Sequence, residues 1–166
     1  MSLIIFLIYL ENYTEFAKTY NISYNITNIW KRGDVWNMKN NYFYAMLSRM
    51  KYINRWGLMR NTRNENLSEH SLEVAFIAHA LGVINNEVFG GDINAERLAV
   101  LGMYHDVTEI ITGDMPTPVK YYSPYIRNAY KEVEQVANEQ MLSGLPEVLR
   151  ARYEGLLLET ENEAGL

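Results

Sequence analysis

Histidine and carboxylate side chains occur in two short stretches of the sequence, with the types and spacing of a divalent-metal site. His105 and Asp106 are adjacent, Glu109 follows three residues later, and His70 lies upstream. Imidazoles and carboxylates are ligands of first-row transition metals, and the presence of two histidines disfavours magnesium or calcium. The sequence therefore predicts a site for one divalent transition metal, without distinguishing Co, Mn, Zn, Ni, Fe or Cu.

Hydrolysis of a phosphate ester is the chemistry that such a site favours. A bound divalent ion lowers the pKa of a water molecule and neutralises charge on a phosphoryl oxygen. Glu109 would orient that water or exchange protons with the leaving oxygen; its alternative role is to hold a metal ligand in place. Arg55, Arg60 and Arg63 share one short stretch, where guanidinium groups would hold a single phosphate.

The His-Asp pair is predicted to lie on a helix over residues 95 to about 112, with Asn94 as its N-cap. Apolar side chains recur along this helix at spacings of three or four residues. His105 and Glu109 continue that stripe, which faces the core. Asp106 lies about 100° further round, near enough for both side chains of the pair to reach one ion.

His70 is predicted to enter the same space from a second helix. Ser68 offers an N-cap side chain just before it. The following residues, 72–83, are apolar nearly all round, which is expected of a helix buried in the centre of a domain. His79 lies nine residues beyond His70 and points to the opposite face of a straight helix, so it is not included in the site.

The remaining segments complete an all-α prediction. Further helices are predicted over residues 125–142 and after Pro146, a residue that suits a first helical turn. Gly113 would end the His-Asp helix in a left-handed conformation, and the two prolines within residues 114–118 prevent its continuation. Apolar side chains at spacings of three and four also indicate a helix that ends near Asn54: Phe43, Met46, Leu47, Met50 and Ile53.

Length and composition indicate a single globular domain. The chain has 166 residues, of which 48% are hydrophobic, enough for a substantial core. Its formal net charge of −5 leaves no electrostatic footprint for DNA or RNA. Cysteine is absent, which excludes thiolate ligands and fits a reducing, cytoplasmic setting. The apolar opening, residues 4–10, is too short to span a bilayer, so no membrane partner is expected.

The first residues differ in composition and periodicity from the rest of the chain. Residues 1–37 are dominated by Tyr, Asn and Ile and show no sustained helical period. Met38 begins a segment of clearer helical character, so our hypothesis is that translation of the natural protein begins there. The predicted division is an N-terminal extension over residues 1–37, of uncertain structure, followed by a domain over residues 38–166.

Longer motifs accompany the metal-site residues. They are Leu47-Ser48-Arg49, Ile53-Asn54-Arg55-Trp56, Leu58-Met59-Arg60-Asn61, Ser68-Glu69-His70-Ser71-Leu72, Met103-Tyr104-His105-Asp106 and Thr112-Gly113-Asp114-Met115-Pro116-Thr117-Pro118-Val119-Lys120. With these motifs, the stretch from about Phe43 to Leu166 resembles the bacterial 5′-deoxynucleotidases of the HD-domain metal-dependent phosphohydrolase superfamily, the YfbR-like group. The resemblance implies an HD-domain helical bundle.

The resemblance also implies an activity, which is removal of phosphate from 2′-deoxyribonucleoside 5′-monophosphates by a homodimer. Its metal ligands would be His70, His105 and Asp106, and its catalytic residues would be Asp106 and Glu109. Trp56 would crowd a 2′-hydroxyl. Such crowding would reject ribonucleotides, because a desolvated hydroxyl without a partner costs about 1–3 kcal/mol. The expected substrate contacts are Arg55, Trp56, His70, Asp106, Asp114, Met115, Pro116 and Thr117.

Two features depart from the pattern of that group. Its fourth protein ligand is an Asp on a later helix, whereas this chain has no Asp after Asp114. The expectation is a domain that is incomplete at its C-terminus, preceded by an extension, residues 1–37, that the group does not share. Two alternatives therefore remain open. One is an HD phosphohydrolase acting on another phosphoester, and the other is a non-catalytic nucleotide-binding or dimerisation module.

Overall fold

Helices make up the regular structure of the part of the chain that can be described. The computed structural model describes residues 42–55 and 62–157. Within those two ranges no strand forms, and the one β feature is an isolated bridge between Asn54 and Asn66. The all-α prediction is confirmed. In chain order the helices are α1 (Phe43–Leu47), a 3₁₀ turn (Met50–Tyr52), α2 (Leu67–Phe89), α3 (Ala95–Tyr104), α4 (Glu109–Thr112), α5 (Thr117–Lys120), α6 (Pro124–Leu142) and α7 (Glu147–Leu157).

Several predicted boundaries hold and others are wrong. Helices α6 and α7 begin within two residues of their predicted starts, and Asn94 caps α3 as expected. The helix predicted to run to about Asn54 instead stops at Leu47 and gives way to the 3₁₀ turn. Ser48 explains the stop, because its hydroxyl donates to the Ala45 carbonyl at 2.7 Å and competes with the helical ladder. The predicted extension, residues 1–37, and Met38 lie outside the described residues.

The core joins α1 to the last two helices. Phe43 is fully buried, and its ring meets Tyr153 of α7 edge-on, with ring centroids 4.9 Å apart. Met141 and Leu142 of α6 are also fully buried in this cluster. Val107 belongs to the same cluster and is likewise fully buried. Burial of such side chains stabilises by about 1.5–3 kcal/mol each, so the core anchors the residue that follows the His-Asp pair.

The start of α2 is fixed one turn ahead of His70. Its N-cap is Asn66, and the predicted cap, Ser68, is wrong. The Asn66 side chain accepts bonds from two backbone amides, at 3.0 and 3.1 Å, and the Glu69 side chain accepts from the Asn66 amide. This reciprocal arrangement is a capping box, which satisfies donors that a helix start leaves free. The capping box sets where His70 emerges from the helix.

Helix α2 is far more exposed than predicted. Its buried residues are Leu67, Ser71, Ala75 and Gly82, whereas large apolar side chains on other faces, among them Phe76 at 66% exposed, face outward. The prediction of a helix buried at the domain centre is therefore wrong. Among the helices that the structure describes, α2 is the one whose length and composition would allow it to cross a membrane; core helices of soluble proteins meet the same criterion.

Helices α2 and α3 approach each other closely through small residues. A Cβ atom placed on Gly102 would lie 2.9 Å from the Cα of Ala75, and one placed on Gly82 would lie 2.9 Å from the Cβ of Ala95. Real Cβ atoms essentially never come so near. The two glycines therefore allow the helices to pack backbone to backbone, and this contact sets the distance between His70 and His105.

The His-Asp pair does not lie on a continuous helix, so that prediction is wrong. Helix α3 ends at Tyr104, and Glu109 begins the separate short helix α4. Between the two helices, backbone amides donate to carbonyls three residues earlier, as Val107 does to Tyr104, rather than four residues earlier as in an α-helix. The His105 ring supplies the reason, because its Nδ1 bonds the Gly102 carbonyl at 2.7 Å. In a continuing α-helix, the Gly102 carbonyl would instead accept a bond from the Asp106 backbone amide.

Candidate metal centre

Three predicted ligands converge on one point. His70, His105 and Asp106 each offer one ligand atom, and these atoms all lie within 4.8 Å of one another. The Nε2 atom of His105 is 2.9 Å from Asp106 Oδ2, and the Nε2 atom of His70 is 3.5 Å from the same oxygen. Atoms that bind one ion at about 2.0–2.2 Å lie about 3–3.5 Å apart. The donor set and its spacing therefore fit a divalent transition metal.

The second nitrogen of each histidine has its own partner. His105 Nδ1 donates to the Gly102 carbonyl at 2.7 Å, and His70 Nδ1 lies 3.0 Å from Glu65 Oε1. Such outer contacts fix the orientation of a ligating imidazole and leave the other nitrogen free for an ion. In both rings that other nitrogen is Nε2, the atom that faces Asp106.

Arg55 lies against the same carboxylate. Its Nη1 donates to Asp106 Oδ2 at 3.0 Å, and its Nε is 3.3 Å from Glu65 Oε1. The Asn54 to Asn66 bridge brings the two segments together, because the Arg55 amide donates to the Glu65 carbonyl at 2.9 Å. The Arg55 side chain is only 16% exposed. A guanidinium is thus held beside the candidate ligands, where it faces any anion that approaches them.

The charges of the cluster shift its ionisation. Burial alone would raise the pKa of Asp106, but the bond from His105 and the charges of Arg55 and His70 hold that pKa below its usual value. Burial opposes protonation of His105, yet the bond to Asp106 raises the pKa of His105 above its usual value. For His70, burial and the charge of Arg55 lower the pKa. Asp106 therefore stays ionised, and a bound cation would take the place of the proton that His105 shares with Asp106.

Glu109 lies just beyond the ligands, at the start of α4, and is buried. Burial raises its pKa to about 8, and the neighbouring carboxylates of Asp106 and Asp114 add to the increase. Its Oε2 atom is buried without a hydrogen-bond partner among the described residues. A carboxyl group with a pKa near neutrality can take up or release a proton during a reaction. The prediction that Glu109 is buried is confirmed, whereas His105 is partly exposed, at 34% of its side chain.

The loop after α4 brings a further predicted group close to the site. Gly113 ends α4 with φ 75° and ψ 159°, so it supplies the positive φ that was predicted but not the left-handed helical conformation. Asp114 lies near enough to influence the ionisation of Glu109. Met115, Pro116 and Thr117 continue the loop into α5, and Thr117 is exposed.

Arg63, another predicted cation, is not brought to the candidate ligands. Its side chain is 73% exposed, and its Nη2 lies 3.7 Å from Glu69 Oε1. His79 is exposed on α2 and takes no part in the cluster, as expected. Trp56 and Arg60 lie outside the described residues.

Sequence reasoning missed Glu65. Its carboxylate contacts both His70 and Arg55, at 3.0 and 3.3 Å. The residue immediately precedes the cap of α2, and an acidic residue at a helix start is too common to stand out. The pattern Asn66-Leu67-Ser68-Glu69 could have revealed the capping box and so the start of α2.

A cavity of about 600 Å³ opens beside His105. Leu81, Leu98 and Leu101 of α2 and α3 line it, together with Thr108 and Glu134. Small-molecule sites typically enclose about 300–1,000 Å³. Of the candidate ligands, His105 lines this space, whose size suits a small molecule.

Comparison with known proteins identifies the family. The profile described as 5′-deoxynucleotidase YfbR-like matches residues 42–165. The chain belongs to the YfbR-like family. A 5′-deoxynucleotidase of Photorhabdus laumondii is 54% identical over 121 residues, which cover 73% of this chain and 61% of that protein. A 5′-deoxynucleotidase of Pectobacterium atrosepticum is 55% identical over 120 residues, covering 72% and 60% of the two chains.

A solved structure is also similar. The crystal structure of an HD-domain phosphohydrolase from Listeria innocua has a TM-score of 0.62 and is 28% identical in sequence. The match covers 69% of this chain and 54% of that one. The predicted family and the HD-domain helical fold are thus confirmed. The chain spans about three fifths of the length of the curated relatives it matches, 61% of the Photorhabdus laumondii protein.

Proposed function

We propose that this protein is a metal-dependent phosphomonoesterase that hydrolyses 2′-deoxyribonucleoside 5′-monophosphates to a deoxynucleoside and phosphate. The observation that carries the proposal is the convergence of His70, His105 and Asp106 beside Arg55, in a chain of the YfbR-like family. Relatives that are 53% to 56% identical carry the name 5′-deoxynucleotidase.

The three ligands would hold one divalent ion, with Co, Mn, Zn, Ni, Fe and Cu all compatible with two imidazoles and a carboxylate. Such an ion acidifies an attacking water and neutralises charge on phosphoryl oxygens. His70 and His105 are oriented for ligation by Glu65 and by the Gly102 carbonyl. Asp106 has a double role in the proposal, as a metal ligand and as a group next to the reacting phosphate.

Two further side chains would act on the substrate directly. Arg55 already faces an anionic group, Asp106, and its guanidinium suits a phosphate, to which it can donate two parallel bonds. Glu109 would exchange a proton with the attacking water or the leaving 5′ oxygen, a task suited by its raised pKa of about 8. The loop from Asp114 to Thr117, with Met115 and Pro116, would line the sugar and phosphate side, and Trp56 would reject a 2′-hydroxyl.

We place the protein in the cytoplasm as a homodimer, without DNA, RNA or a membrane as partners. The support is the acidic net charge of −5 and the absence of cysteine, together with the outward apolar face of α2. Phe76, Ile77 and Leu81 on that helix are 66%, 60% and 59% exposed, and contiguous apolar patches mark contact surfaces. A second copy of the chain would cover this face. Light scattering tests the assignment, since a monomer in dilute buffer would contradict it.

Phosphate release from dAMP, AMP and p-nitrophenyl phosphate tests the activity. We expect turnover of dAMP that is lost on chelation, restored by a transition metal, and much weaker for AMP. Asp106→Ala should abolish release, whereas Asp92→Ala, at an exposed position, is the matched control. Metal-dependent turnover of p-nitrophenyl phosphate but not of dAMP would indicate a phosphohydrolase for another ester. If the protein neither binds metal nor turns over any of the three substrates, it is a non-catalytic module.

A further inference from the structure

Helix α6 contacts the chain on both sides of the loop between α4 and α5. We propose that Tyr130 and Glu134 of α6 are positioning residues that clamp this loop through the helical residues on either side of it, Thr112 and Lys120, and so hold Asp114 and Thr117 in place for the substrate. The inference rests on the proposed function, because the substrate role of the loop does. The clamp itself is a physical arrangement that can be measured separately.

The first contact holds the point where the chain leaves α4. Tyr130 is 5% exposed, and its hydroxyl oxygen lies 3.2 Å from the Oγ1 of Thr112. The Thr112 hydroxyl can donate to the Gly113 carbonyl at 3.1 Å, which leaves its oxygen to accept from Tyr130. The bond therefore joins α6 to the last residue of α4, immediately before the positive φ of Gly113.

The second contact holds the far side of the loop. Lys120, the last residue of α5, places its Nζ 2.7 Å from Glu134 Oε1. The same ammonium lies 4.7 Å from the centroid of the Tyr130 ring. The side chains of Lys120 and Glu134 are 27% and 26% exposed, so solvent screens this pair less than it screens a fully exposed pair. Cation–π attraction adds to the contact.

One face of one helix makes both contacts. Tyr130 and Glu134 are four residues apart on α6 and therefore project from the same side. Helix α6 has 19 residues, and its own end packs into the core through Met141 and Leu142. The residues that flank the loop, Thr112 and Lys120, are thus bonded to a helix that is anchored in the core. A loop that is already held in place loses less conformational entropy when a ligand binds, which improves affinity.

Hydrogen exchange of the metal-loaded protein tests the clamp directly. The Gly113 amide donates to the Glu109 carbonyl, and the amides of Val119 and Lys120 donate to the Pro116 carbonyl, so their exchange reports opening of the two helical turns that flank the loop. Tyr130→Phe and Glu134→Gln should each speed their exchange about fivefold, as expected for loss of one hydrogen bond, and the double variant should exceed either single. Matched controls on α6 are Tyr125→Phe and Glu132→Gln, at exposed positions, which should leave these rates unchanged.

Steady-state kinetics with dAMP then test what the clamp does. Tyr130→Phe and Glu134→Gln should raise KM about fivefold while kcat stays within about twofold, because neither change touches the metal ligands. Exchange rates equal to those of the wild type overturn the clamp. Faster exchange with an unchanged KM overturns its positioning role. If the wild-type protein releases no phosphate from dAMP, the proposed function fails, and the exchange rates still support or overturn the clamp.

Discussion

Replacement of Glu109 by glutamine should remove most of the fall in stability that the metal-free wild-type protein shows as pH rises from 5 to 8. The folded carboxyl keeps its proton up to a pKa of about 8, whereas an unperturbed glutamate titrates at 4.5. Between these values the folded state binds more protons than the unfolded state. The free energy of unfolding therefore falls as pH rises through this window, and glutamine, which does not ionise, removes that fall.

The magnitude follows from the shift in pKa. A change from 4.5 to about 8 corresponds to an upper limit of roughly 5 kcal/mol. Relaxation around the ionised carboxylate reduces this limit, so we expect the advantage of the variant to grow by about 2–3 kcal/mol between pH 5 and pH 8. The amide of glutamine adds an offset that does not depend on pH, and the change with pH is therefore the informative quantity.

Urea unfolding in the presence of a chelator, at several values from pH 5 to pH 8, measures this change. Glu87→Gln is the matched control, because Glu87 is exposed on α2 and its replacement should not alter the pH dependence. Equal slopes of unfolding free energy against pH for wild type and Glu109→Gln would show instead that Glu109 is solvated in the folded state.

Three further changes test the packing, the ligand support and the substrate filter. Gly102→Ala should destabilise the fold by about 1–3 kcal/mol despite the better helix propensity of alanine, because its Cβ would lie 2.9 Å from Ala75. Gly155→Ala is the control, because its Cβ would meet only ordinary contacts. Equal melting temperatures for wild type and Gly102→Ala would contradict the close packing. Glu65→Ala should weaken metal affinity about 10- to 100-fold, measured by competition with a chromogenic chelator, and unchanged affinity would show that it does not support His70. Trp56→Ala should lower the ratio of kcat/KM for dAMP to kcat/KM for AMP. A ratio equal to that of the wild type would exclude Trp56 as the filter against ribonucleotides.

The proximity of the candidate metal ligands could be predicted from the sequence because their chemistry is specific. Residue type, helix register and the family resemblance group His70, His105 and Asp106, and the structure brings the three side chains together. Glu65 could not be predicted, since its contact with His70 depends on a bridge between segments whose pairing no local pattern encodes. Long-range pairing of this kind is decided by tertiary structure.

The helix boundaries near the site show a different limit. Periodicity predicts one helix over residues 95–112, but a single side-chain bond from His105 to the Gly102 carbonyl redirects the backbone into turns. The apolar residues of α2 also misled the prediction of burial. A helix that is apolar all round is expected inside one domain, yet the described part of this chain leaves Phe76 exposed. Hydrophobic pattern reports which residues avoid water, without telling which partner covers them.

The proposed function requires that His70, His105 and Asp106 bind one divalent ion on which phosphate release depends. Titration of the metal-free protein with Co²⁺, followed by visible absorption and by phosphate release from dAMP in the same sample, measures both properties together. We expect absorption and activity to rise together and to saturate at one ion per chain, both lost in His105→Ala and both kept in His79→Ala. An unchanged cobalt spectrum in His105→Ala, or phosphate release that does not depend on cobalt, would contradict it.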